Sequence, residues 1–200
     1  MLDRTARRLI DPLLDRIAAR IVAMRIPANA ITVAGFLIGA VACVAIALQH
    51  YPVGLALILL NRLADGLDGC VARRTATTDL GGFLDIVFDV IFYSGVPFAF
   101  AIADPLRWLP AAFLIYSFVS TGGSFLAWAA ISEKRRIGFG SESRKSFVYS
   151  VGLMEGTETV LFFFLVCLLP QYFVVLAWTF GILCWLTTVL RIVAAVREFR

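Results

Sequence analysis

Apolar residues run along this chain in long blocks, and short polar or proline-containing stretches separate them. The blocks cover residues 31–48, 53–71, 80–103, 108–131, 148–169 and 172–196. At about 1.5 Å per residue, helices of this length cross a hydrocarbon layer roughly 30 Å thick. His50-Tyr51-Pro52, Asp104-Pro105 and Pro170-Gln171 mark turns between blocks. Ahead of them the period changes. Leu9, Ile10, Leu13, Leu14, Ile17, Ile21 and Met24 recur near helical spacing, with Arg4, Arg7, Arg8, Arg16 and Arg20 between them. That pattern predicts a basic amphipathic helix on the membrane surface, kinked or restarted at Pro12 and ended by Pro27-Ala28-Asn29. The expected architecture is all-α: a polytopic membrane protein with six transmembrane helices and an N-terminal amphipathic juxtamembrane helix. It forms a single domain over 1–200, with 1–27 as the surface helix and 31–196 carrying the six spans.

Composition supports this class. The chain is 60% hydrophobic, with a mean hydropathy of +0.88, whereas soluble domains average roughly 45–50% apolar residues. The first 30 residues alternate charge with short apolar runs and lack the single apolar core of a cleavable signal peptide. Positive charge sets the expected orientation. Basic residues precede the first span, follow the second (Arg73, Arg74), follow the fourth (Lys134, Arg135, Arg136, Arg144, Lys145) and close the chain (Arg191, Arg197, Arg200). With six spans these fall on one side, so both termini are expected in the cytoplasm, and only Arg107 adjoins an opposite connection. Cys43, Cys70, Cys167 and Cys184 lack paired ligand spacing and read as small buried hydrophobes. His50 is the sole histidine, which argues against serine–histidine catalysis and histidine-rich zinc sites.

Candidate chemistry lies in two of the apolar blocks. One contains Asp65-Gly66-Leu67-Asp68-Gly69-Cys70-Val71-Ala72-Arg73, the next Gly81-Gly82-Phe83-Leu84-Asp85-Ile86-Val87-Phe88-Asp89. At about 100° per residue, Asp65 and Asp68 share a helix face, as do Asp85 and Asp89. The joining segment is short, so the two helices are expected to be antiparallel neighbours with their carboxylate pairs facing. Carboxylates within or near a bilayer are costly without a partner. Clustered carboxylate oxygens suit one hard divalent cation, or two about 4 Å apart. Gly66, Gly69, Gly81 and Gly82 leave room for a ligand to approach the backbone, and Arg73 can pair with a phosphate. Together these residues suggest a pyrophosphate site. Ion pairs among helix-packing glycines are the plainer reading, but they leave the number of carboxylates unexplained.

This stretch resembles the signature of the CDP-alcohol phosphotransferase (CDP-alcohol phosphatidyltransferase) family: Asp-x2-Asp-Gly-x2-Ala-Arg, a spacer, then Gly-x3-Asp-x3-Asp. The positions are Asp65, Asp68, Gly69, Ala72, Arg73, Gly81, Asp85 and Asp89. Pro27-Ala28-Asn29-Ala30-Ile31-Thr32 also resembles the family's entry into its first span. The spacer between Arg73 and Gly81 is one residue shorter than the family's usual one. The resemblance implies transfer of a phosphatidyl-type group from a CDP-alcohol, usually CDP-diacylglycerol, to an alcohol acceptor with release of CMP, in phospholipid biosynthesis. It also implies Mg²⁺ or Mn²⁺, as two ions, on Asp65, Asp68, Asp85 and Asp89. Asp89 would serve as base for the acceptor hydroxyl, and Gly69, Arg73 and Gly81 would contact the nucleotide. A homodimer in the bacterial inner membrane, active on its cytoplasmic side, is implied too; nucleic acid is not an expected partner.

The acceptor side is less marked. Lys145-Ser146-Phe147 and Gly152-Leu153-Met154-Glu155-Gly156-Thr157-Glu158-Thr159 resemble a small bacterial inner-membrane branch of the family. Glu155 and Glu158 share a face, and either pair with Arg144, Lys145 or Arg191 or line an acceptor pocket. Lys145 and Arg191 are the expected cations for an acceptor, with a snorkelling anchor as the other reading of Arg191. Arg62, one turn before Asp65, balances the acidic cluster. Intramembrane carboxylates also fit a divalent-cation transporter, the alternative from another class.

Overall fold

The computed structural model describes residues 2–135, 154 and 156–199, with side chains from residue 13 onward. Seven α-helices are described: α1 (Leu2–Ala23), α2 (Ala28–Ala47), α3 (Tyr51–Arg74), α4 (Asp79–Ala103), α5 (Trp108–Lys134), α6 (Gly156–Leu168) and α7 (Phe173–Glu198). Short 3-10 turns at Pro105–Arg107 and Pro170–Tyr172 lead into α5 and α7. The described residues contain no strand.

Helices α2 to α7 lie where the six apolar blocks predicted spans. Among the described residues, four segments are long and apolar enough to cross a membrane: Ala28–Ala47, Asp79–Ala103, Pro105–Lys134 and Pro170–Glu198. Helix α3 falls outside that set while carrying Arg62, Asp65, Asp68, Arg73 and Arg74; polar residues have replaced the apolar side chains that would mark a span. Helix α6 is described over 13 residues, and the first part of the fifth block lies outside the described residues. On α2, Leu37, Val41 and Val44 all face outward. Such apolar outer faces suit a lipid solvent, because each helix satisfies its own backbone hydrogen bonds.

Small residues set the packing. Gly35 of α2 lies against Ala64 of α3; a Cβ built on Gly35 would sit 3.0 Å from Ala64 Cβ. One turn on, a Cβ on Gly39 would meet the Phe92 ring at 2.8 Å and Asn61 Nδ2 at 3.0 Å. Glycine at these positions lets helices approach closely where hydrophobic transfer no longer drives association. Helix α2 therefore packs against both α3 and α4. Helices α3 and α4 make few close backbone contacts with each other and face each other through side chains: Arg62 of α3 reaches Asp89 of α4 at 2.9 Å, and oxygens of Asp65, Asp85 and Asp89 lie within 4.8 Å of one another.

Aromatic rings fill the centre. Phe92, Phe100, Phe163 and Phe173 are all buried, with Phe100 stacked on Phe173 at 4.4 Å between centroids. Arg107, the lone cation of its connection, is tied down. It pairs with Asp104 at 3.2 Å and donates to the Tyr51 hydroxyl at 3.0 Å. Helices α5 and α7 meet closely at Gly181, where a Cβ would fall 2.6 Å from the Phe113 ring. Gly181→Val is expected to cost about 1–3 kcal/mol through overpacking. Thermal unfolding in detergent checks this, and an unchanged midpoint would show that the ring yields freely.

Helix α1 continues through Pro12 as helix. Leu14 and Ala18 are buried with Cys70 and Val71 of α3, and Asp15 pairs with Arg74 at 3.5 Å. The amphipathic helix thus docks one side on the end of α3, while Leu13, Ile17 and Met24 point outward.

Candidate active site

The end of α3 and the start of α4 bring the acidic residues together. Asp65, Asp85 and Asp89 each present a carboxylate oxygen, all within 4.8 Å of one another. Asp68 lines the same pocket from a buried position, 7% exposed. Its Oδ2 has no hydrogen-bond partner among the described residues. Thr32, Gly35 and Phe36 of α2 form the floor, with Phe36 stacked on Phe88 of α4 at 4.2 Å. One wall is therefore apolar and the other acidic. An uncompensated buried carboxylate oxygen is costly, and oxygen donors of this kind suit a hard divalent cation. The residues present fit such an ion.

Arg62 is the resident cation. Its Nη2 donates to Asp89 Oδ1 at 2.9 Å, and its Nη1 lies 3.7 Å from Asp65 Oδ2. Nη1 also donates to the Tyr93 hydroxyl at 3.1 Å, and Nε to Asn61 Oδ1 at 2.8 Å. Asn61 in turn donates to the Gly35 carbonyl at 2.8 Å. The guanidinium carbon lies 4.7 Å from the centroid of Phe92 and 5.3 Å from that of Tyr93. The sequence marks Arg62 only by its three-residue spacing from Asp65; nothing in it indicates the contact with Asp89, 27 residues away.

The glycines divide. A Cβ on Gly69 would lie 3.3 Å from Arg73 Nη1, so Gly69 makes room for the Arg73 side chain, whose Nη2 donates to Cys70 Sγ at 3.1 Å. The space beside Gly66 is taken by Leu14 Cδ1, 2.8 Å from a Cβ built there. Beside Gly81 it is taken by Asn29 Oδ1 at 2.9 Å, and the Gly81 N–H donates to the Thr78 hydroxyl that caps α4. These two glycines admit neighbouring side chains, where the sequence suggested approach of a ligand. Among the described residues, no heavy atom beyond its own helix approaches a Cβ position at Gly82 within 4 Å.

Of the described acceptor candidates, neither Arg191 nor Glu158 lines this pocket. Arg191 is buried, with Nη1 donating to the Thr121 carbonyl at 2.8 Å and to Ser124 Oγ at 3.0 Å. It points inward to α5, unlike a snorkelling anchor. Glu158 is half-buried in the first turn of α6. Lys145 and Glu155 lie outside the described residues. The four cysteines form no disulfide and three of them are buried, as expected of small apolar fillers.

The sequence matches the CDP-alcohol phosphatidyltransferase family over residues 24–193. The chain belongs to this family. It is similar to the inner membrane protein YnjF of Escherichia coli, 47% identical over 193 residues that cover 96% of this chain and 94% of that protein. It also resembles the archaetidylinositol phosphate synthase of Pyrococcus horikoshii, 25% identical over 98% of this chain and 96% of the relative. That of Methanothermobacter thermautotrophicus is 43% identical over 42% of this chain and 40% of the relative. As a CDP-alcohol phosphatidyltransferase, the protein is a membrane transferase of phospholipid biosynthesis that moves a phosphatidyl group from a CDP-alcohol to an alcohol. Membership in a transferase family displaces the cation-transporter reading. The family typically uses a divalent metal, and the acidic pocket is where this chain offers the oxygens for it.

Proposed function

We propose that this protein transfers a phosphatidyl group from CDP-diacylglycerol to an alcohol, releasing CMP, with Mg²⁺ or Mn²⁺ held as two ions by Asp65, Asp68, Asp85 and Asp89. The observation that carries this is the gathering of three carboxylate oxygens within 4.8 Å, beside the buried Asp68 oxygen that lacks a hydrogen-bond partner. Bound metal would neutralise the pyrophosphate and the departing phosphate, the usual requirement in phosphoryl-type transfer. The chain supplies the rest. Asp89 accepts the proton of the acceptor hydroxyl, a task that needs a carboxylate held at the right place. Arg73, exposed at the end of α3, supplies a planar donor pair for a nucleotide phosphate. Gly69 leaves room for the Arg73 side chain, and Gly81 lies in the first turn of α4, where its N–H donates to the Thr78 hydroxyl. The apolar wall of Phe36 and Phe88 suits the lipid end of the donor.

The acceptor pocket draws on Arg191, Glu158, Lys145 and Glu155. The archaeal relatives are named as archaetidylinositol phosphate synthases, and a buried arginine suits an acceptor that itself carries phosphate. The test is incubation of purified protein with CDP-diacylglycerol, Mn²⁺ and a panel of alcohols that includes inositol phosphate and glycerol phosphate. A new phosphatidyl lipid in the mass spectrum is expected with one acceptor or a narrow group; no new lipid with any of them would refute the reading.

The same reading places α2 to α7 across the bacterial inner membrane as six spans of a homodimer, with both termini and the pocket on the cytoplasmic side. The excess of Lys and Arg in alternate connections supports it. Reporter fusions near Pro105 are expected to read as periplasmic and fusions at Arg200 as cytoplasmic. Ends on opposite sides would break the six-span arrangement.

A further inference from the structure

We infer that Arg62 is a positioning residue of the transfer reaction: it holds Asp89 in place for the acceptor and tempers the charge that the four aspartates present to metal. The inference rests on the role of Asp89 proposed above. Arg62 lies outside the acidic signature, yet hydrogen bonds hold it at three corners. Its side chain is 14% exposed, and its three nitrogens all donate: Nε to Asn61, Nη1 to Tyr93 and Nη2 to Asp89. Asn61 is anchored in turn on the Gly35 carbonyl, and the guanidinium packs against the rings of Phe92 and Tyr93. A planar fork held at three corners has little freedom left, so the Asp89 oxygen bound to it has little either. The chain of contacts thus runs from the backbone of α2 through α3 to a carboxylate on α4, across a gap that backbone packing does not close.

Two consequences follow, and they point in opposite directions. Without the guanidinium, Asp89 rotates freely, and turnover falls. Without its positive charge, the carboxylate cluster attracts a dication more strongly, and metal binds tighter. A merely structural residue produces neither combination, because a loosened pocket loses metal and turnover together.

The test compares wild type, Arg62→Gln and Arg62→Lys in detergent, reading Mn²⁺ affinity by electron paramagnetic resonance and kcat and KM by lipid product. For Arg62→Gln, kcat is expected to fall roughly 10–100-fold, the range seen when the partner orienting a site residue is removed. Donor KM is expected to change little, and the Mn²⁺ dissociation constant to fall at least about fivefold, the scale of two unit charges about 4 Å apart in water and a lower bound for a dication. Arg62→Lys keeps the charge and loses the fork, so its Mn²⁺ affinity stays near wild type while kcat still falls. Tyr93→Phe removes one corner of the fork and leaves the Asp89 pair, and a fall in kcat smaller than that of Arg62→Gln, with unchanged Mn²⁺ affinity, is expected. It also guards against a misfolded Arg62 variant: if Arg62→Gln fails to fold, Arg62→Lys and Tyr93→Phe with wild-type kcat would overturn the inference. Equal or weaker Mn²⁺ binding by folded Arg62→Gln, or its unchanged kcat, would overturn it as well, with the wild-type metal site intact. Wild-type protein that binds no Mn²⁺ would instead remove the metal reading of the pocket, and this inference with it.

Discussion

Asp89→Asn is expected to slow phosphatidyl transfer by roughly 10²–10⁴-fold, the usual contribution of a positioned general base. The substitution keeps the shape of the side chain and one oxygen for Arg62, which now sits 2.9 Å from Asp89 Oδ1. It removes the basic group. Because a base acts in the transition state, turnover should fall far more than donor binding. Some donor affinity is also expected to be lost, since Asp89 contributes an oxygen to the acidic cluster. Donor affinity and single-turnover rate measured on the same variant separate the two roles. A near-normal rate with badly weakened donor binding would confine Asp89 to the metal, and the base would then be sought at Glu155 or Glu158.

The second large effect is at Asp68. Its Oδ2 is buried without a hydrogen-bond partner, which makes the carboxylate costly to the fold unless an ion sits beside it. Asp68→Asn is expected to raise the metal concentration needed for half-maximal activity by at least 10–100-fold, since loss of a direct ligand should exceed loss of a supporting one. The same change removes a buried charge. In chelator the variant is therefore expected to be more stable than wild type, by about 1 kcal/mol on the scale of one unsatisfied buried group. Activity against Mn²⁺ concentration and unfolding in chelator check both parts. Full turnover at low Mn²⁺ would take Asp68 out of the metal site. Reduced stability in chelator would show that its carboxylate is compensated by the fold.

The sequence-level reading succeeded where periodicity and spacing act locally. Apolar blocks set the helices, because each satisfies its own backbone, and four of the described segments are long and apolar enough to cross a membrane. Spacing of three or four residues put Asp65 with Asp68, and Asp85 with Asp89, on common faces. What was not legible depends on how helices meet. The reach of Arg62 to Asp89 crosses from α3 to α4. The covering of Gly66 by Leu14 and of Gly81 by Asn29 depends on where α1 and the start of α2 come to rest. Likewise, α2 packs on both α3 and α4, while those two consecutive helices make few close backbone contacts with each other. A glycine in sequence marks a close approach, but not whether a ligand or a neighbouring side chain makes it. Arg191 is a further instance: in the sequence it reads either as a cation for the acceptor or as an interfacial anchor, and the tertiary packing of α7 on α5 turns it inward to Thr121 and Ser124.

The most direct test of a metal-dependent CDP-alcohol transferase centred on these aspartates is the stoichiometry of CMP release to new phosphatidyl lipid, followed in parallel with Mn²⁺ and with excess chelator. With Mn²⁺ the two products are expected in equal amounts, and chelator should abolish both until metal is restored. Lipid formed at full rate in chelator, or formed without matching CMP, would contradict the account.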